Sequence, residues 1–143
     1  MMTIKKLTTV LAFLCLIAST SLFASDGDEK LFVNLTSDEM NRATMAIAYS
    51  TMVLTQEDIP VTIFLSVEGV RIVDMTLPKH RNAYGKSLNE MMSEFMDAGG
   101  RVLLCGMCAR NVGGIDEDDV LKGVQYGDGM SALFEDDTTV LTY

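Results

Sequence analysis

Two cysteines three residues apart, Cys105 and Cys108, are the residues whose type and spacing point to chemistry. They lie in Gly-Gly-Arg-Val-Leu-Leu-Cys-Gly-Met-Cys-Ala-Arg-Asn-Val-Gly-Gly-Ile, residues 99–115. A pair at this spacing suits thiol–disulfide exchange, sulfur transfer or soft-metal capture, and spacing alone leaves a binding module with incidental thiols open as well. A closed zinc site needs four ligands, and beside these two cysteines the chain offers a single histidine, so zinc would require a second chain. Copper(I) accepts two soft thiolates, and Met107 stands between them.

The surroundings of the pair favour Cys105 as the reactive atom. The apolar run 102–104 reads as a buried strand that stops at Cys105, and residues 109–112 can start a helix. Ligands bind at the C-terminal strand edge of open α/β sheets. Unpaired N–H groups at a helix start favour a thiolate, so the Cys105 pKa is expected below the ~8.5 of a free thiol. Arg110 could attract an anionic sulfur species or simply solvate a helix. His80 reads as a loop residue rather than a base, since nothing in the sequence ties it to Cys105. Met91, Met92 and Met96 read as core rather than copper ligands, because they share an apolar face with Leu88 and Phe95.

Strand and helix signals alternate around this stretch. Residues 31–35 form a short apolar strand, and Thr36 with Glu39 matches a capping box that would open a helix over 37–55. That helix is apolar nearly all the way round, which predicts cover on more than one side and hence a homo-oligomer. Residues 61–65 form a second strand behind Pro60. The segment 66–86 reads as a short helix and a long loop. Ser87 and Glu90 make a second capping box, followed by an amphipathic helix that Gly99 closes. Residues 116–119 are an acidic, solvated helix start. Short strands are expected at 124–126 and 140–143, with a helical turn or two at 130–134. Connections too long for hairpins argue for a parallel sheet between helices.

Lys5 and Lys6 precede an uncharged apolar run over 7–23, and Ala24 leads into an acidic start, the pattern of a cleavable export signal over 1–24. Cys15 lies inside that run and is expected to leave with it. The remainder, 25–143, suits one domain in the periplasm or outside the cell, with no stable membrane insertion after processing. The net charge is −9, and −11 without Lys5 and Lys6, which argues against nucleic acid as a partner. A disulfide framework cannot be built from two neighbouring cysteines.

The order of elements, Gly69-Val70 after the second strand, the run Gly-Gly-Arg-Val-Leu-Leu-Cys leading into the third, Gly113 eight positions after Cys105, Lys122-Gly123-Val124 and the closing Thr139-Val140-Leu141-Thr142-Tyr143 together resemble the DsrE/DsrF-like family. The resemblance covers nearly all of 25–143. It implies a three-layer α/β/α fold with a five-stranded, mostly parallel sheet and assembly into trimers or hexamers. In the family's sulfur-relay members a cysteine at the end of the third strand, corresponding to Cys105, carries sulfur as a persulfide. Cys108 occurs in some members and not in the relay ones. Relay members work in the cytoplasm, so the export signal is a departure. The family's strand order also suggests Asn34, Thr36 and Ser37 as donors to the thiolate.

A thioredoxin fold is disfavoured, because Pro60 and Pro78 both precede the pair where its cis-proline would follow. The expected function is therefore sulfane-sulfur or thiol-redox handling at Cys105, with Cys108 as its partner, no cofactor and no resident metal. The other party would be a sulfur donor or acceptor, either a protein or a small sulfur species. A regulatory or binding subunit without catalysis and a Cu(I)-binding protein are the alternatives.

Overall fold

Five short strands build one sheet in a computed structural model that describes residues 29–143. The expected export signal and Cys15 lie outside the described residues. The strands are β1 (Lys30–Leu35), β2 (Val61–Leu65), β3 (Arg101–Cys105), β4 (Gln125–Gly127) and β5 (Thr138–Thr142). All pair in parallel in the order β4-β3-β2-β1-β5. Leu31 sits beside Val61 and Thr139, and Ile63 beside Val102, which puts like faces together across the sheet.

Leu31, Val33, Leu35, Val61, Ile63, Leu65, Val102 and Leu104 face one side and form the main core. It is covered by α1 (Met40–Gln56) and α2 (Leu88–Asp97). Phe32, Phe64 and Leu103 face the other side, where a second, smaller cluster holds Ala132 and Leu133. The strand order explains this inequality. Steps from β1 to β4 all run in one direction, so right-handed crossovers stack their connections on one face. Only the return from β4 to β5 reverses, and it carries a short helical turn (Met130–Leu133) to the other face. Two helical layers thus sandwich the sheet, one thick and one thin. Among the described residues, no helix is long and apolar enough to cross a membrane.

The expected capping box at Thr36 is not formed. The helix begins at Met40, and Glu39 caps it by accepting the N–H groups of Asn41 and Arg42 at 3.0 and 2.9 Å. Thr36 is taken by a distant partner: its N–H and its hydroxyl both donate to the carbonyl of Tyr143, at 2.9 and 2.6 Å. Sheet closure outcompetes the local motif. Within one chain α1 is covered on a single side. Ala43, Ala46, Ile47 and Ser50 face the core, while Met45, Tyr49 and Met52 form an exposed stripe.

The second capping box is complete, with Ser87 Oγ accepting from Glu90 N–H and the Glu90 carboxylate accepting from Ser87 N–H. At its other end α2 closes as a Schellman motif, Gly99 N–H donating to Met96 and Gly100 N–H to Phe95, with Gly99 at φ +100°. Between β2 and α2 a 3-10 turn, Val67–Val73, packs against the residues that follow Cys108.

Candidate functional site: the Cys105 cleft

β3 runs between β2 and β4 with Val102 and Leu104 fully buried, so its end is held firmly at the C-terminal edge of the sheet. Helical backbone starts at once, not at residue 109 as the sequence suggests: α3 (Gly106–Cys108) is followed by a π-helical turn, Ala109–Gly113. Cys105 caps this segment. The N–H of Cys108 donates to Cys105 Sγ at 3.3 Å, and the Cys105 thiol points at Cys108 Sγ, 2.7 Å away. Both thiols are free and partly buried. Helical i, i+3 spacing puts them on one face, within disulfide reach after a small adjustment.

The electrostatics differ from the expectation. Burial pushes the Cys105 thiol above its ordinary pKa, and the contact with Cys108 sulfur pushes the same way. The N–H groups of Cys108 and Met107 act in the opposite direction and do not win. A short helical segment supplies two hydrogen bonds to a sulfur that has lost part of its water, and desolvation of the anion dominates.

Cys105 opens into a cleft of about 510 Å³ lined by Gly106, Met107, Arg110, Glu117, Tyr126, Gly127 and Asp128. Tyr126 and Arg110 flank Gly106: a Cβ built there would lie 3.4 Å from the tyrosine ring and 3.6 Å from the guanidinium, in ordinary van der Waals contact. Burial raises the Tyr126 phenol pKa, Glu117 and Asp116 raise it further, and Arg110 opposes them. Arg110 lines the same cleft as Cys105. Glu117, Tyr126 and Asp128 join it without a sequence signal for this role. The pairing of Leu104 with Tyr126 brings the tyrosine here, and a three-residue edge strand gives little periodic signal from which to read that register.

The other candidates lie elsewhere. Asn34 Oδ1 accepts the Ser66 hydroxyl at 2.8 Å, Thr36 serves Tyr143, and Ser37 Oγ accepts the Glu39 N–H. None donates to Cys105, because β2 stands between β1 and β3. His80 lines a separate cleft with Asp38, Arg71 and Lys79. Met92 is fully buried, and Met91 and Met96 pack against the core. Among the described residues no group of three or more His, Cys, Asp or Glu is placed to hold a metal ion.

No curated protein matches the sequence significantly. Among the solved structures that share the fold are two of low sequence identity. One is the ychN protein from E. coli, 19% identical, with a TM-score of 0.64 over 80% of this chain and 99% of that one. The other is the protein MTH1491 from Methanobacterium thermoautotrophicum, 17% identical, with a TM-score of 0.64 over 81% and 100%. The model of the DsrE/DsrF-like family matches residues 28–138, spanning all of β1 to β4 and the Cys105 cleft. The chain therefore belongs to the DsrE/DsrF-like family.

Proposed function

We propose that this protein is an exported sulfur carrier in which Cys105 takes up sulfane sulfur as a persulfide and Cys108 is its resolving partner. The observation that carries the reading is the pair itself: two free thiols 2.7 Å apart at the end of β3, one of them facing an open cleft. The Cys105 thiolate attacks the sulfane sulfur of a donor. The donor's sulfur–sulfur bond breaks, and its electron pair leaves with the rest of the donor. Cys105 then carries the added sulfur. Cys108 can attack Cys105 Sγ, expelling hydrosulfide and leaving a disulfide that an external dithiol returns to two thiols.

Intact-mass measurement of the reduced protein after polysulfide treatment tests this. One added sulfur is expected in the wild type, none in Cys105→Ser, and a longer-lived adduct in Cys108→Ser. Loading of Cys105→Ser at the wild-type rate would move the carrier role elsewhere. If neither protein loads and both thiols are needed for stoichiometric Cu(I), the metal reading takes over. The same spectrum reads processing, since export predicts a chain starting near Ser25.

The exposed Met45, Tyr49 and Met52 on α1 support a homo-oligomer, with the trimer or hexamer suggested by the family. Light scattering at micromolar concentration is expected to return a multiple of the chain mass. A monomer would remove the assembly claim.

A further inference from the structure

The wall of the Cys105 cleft carries an uneven charge. Arg110 contributes one positive group, whereas Glu117 and Asp128 line the same space and Asp116 lies near enough to raise the Tyr126 phenol. Met107, 65% exposed, and Tyr126, 42% exposed, add apolar surface to the same cleft. A cleft of about 510 Å³ that is open on one side can admit a protruding side chain from another molecule. For a small sulfur anion the surplus of carboxylates is unfavourable. A positively charged approach gains from the same groups, and nearby charge alters association rates by roughly 10 to 1,000-fold.

We infer that the exchange partner at Cys105 is a protein whose reactive cysteine is flanked by basic residues, and that this cleft disfavours small sulfur anions. The inference rests on Cys105 being the reacting thiol. In the transfer, the partner's thiolate attacks the outer sulfur of the Cys105 persulfide. That sulfur–sulfur bond breaks, Cys105 leaves as a thiolate, and the partner becomes the persulfide, with no net oxidation. Met107 and Tyr126 would pack against the partner's cysteine stem, while Glu117 and Asp128 meet its flanking cations.

Two synthetic peptides of equal length, each with one cysteine activated as a 2-thiopyridyl disulfide and flanked by lysines or by glutamates, test the idea. Attack by Cys105 forms a mixed disulfide and releases 2-thiopyridone, which is followed by absorbance in the reduced wild-type protein. At low ionic strength the lysine peptide is expected to react at least about tenfold faster, and the difference to shrink to about twofold in 0.5 M salt. The double variant Glu117→Gln, Asp128→Asn should lose most of the lysine preference. Its new amide oxygen would still accept the Met130 N–H that the Asp128 carboxylate now accepts, so the turn is kept. Equal rates for the two peptides, a faster glutamate peptide, or a preference untouched by the double variant would overturn the inference while leaving the carrier reading intact. If neither peptide reacts, Cys105 is not a reactive thiol and both fall.

Discussion

Gly69→Ala is expected to destabilise the fold by about 3 kcal/mol or more, read as a lowered midpoint in urea unfolding followed by circular dichroism. The added methyl would overlap the carbonyl oxygen of Leu35 and lie 3.0 Å from its carbonyl carbon and 3.3 Å from that of Thr36. These are backbone atoms at the end of β1, and Leu35 is itself fully buried beside Leu65. No rotamer change relieves the clash. The turn cannot drift outward without loss either, because Gly69 N–H donates to Thr36 and Ser66 carbonyls at 3.0 and 2.9 Å. A variant within about 0.5 kcal/mol of the wild type would show that the 3-10 turn is not pinned to β1 as described.

Sulfur loading at Cys105 is expected to quicken about tenfold per pH unit between roughly pH 6.5 and 8.5, with no plateau near neutrality. The thiolate is the nucleophile. Since burial and Cys108 hold the Cys105 pKa above its ordinary value, the ionised fraction keeps growing across that whole range. Time courses of intact mass at fixed polysulfide would give the profile, with iodoacetamide alkylation as a check independent of donor ionisation. Cys108→Ala keeps the backbone N–H that donates to Cys105 and removes the sulfur that pushes the pKa up, so its profile should move to lower pH. A rate already level near neutrality in the wild type would mean that the two backbone donors outweigh burial.

Where a signal depends on neighbours in sequence, it can be read directly. The apolar runs of β1, β2 and β3, the Ser87–Glu90 box and the Gly99 closure are of this kind. Cys105 as a strand-end thiol is legible for the same reason. The capping box at Thr36 misleads because the deciding partner, Tyr143, comes from the far end of the chain. Asn34, Thr36 and Ser37 become thiolate donors only under a strand order in which β1 borders β3, and β2 intervenes. The Cys105 pKa moves against the sequence expectation because the helix start is visible in sequence while burial of the sulfur is not. Tyr126 and Glu117 reach the cleft through the register of an edge strand and a 3-10 turn at Glu117–Asp119, neither of which has a period to detect.

The place of β5 beside β1 shapes the order in which the molecule folds. β1, β2 and β3 can zip together in chain order, each step closing a loop of moderate length. β1 cannot complete its other side until Thr138–Thr142 comes back across the whole sheet, and the Thr36–Tyr143 bond spans 107 residues. Loop closure over that distance favours a late, slow event. Before it, Leu31, Phe32 and Val33 stand on an open edge, the feature by which half-made sheets recruit strands from other chains. Pairing with β5 covers this side of β1 and hands the open edge of the sheet to Thr138–Thr142.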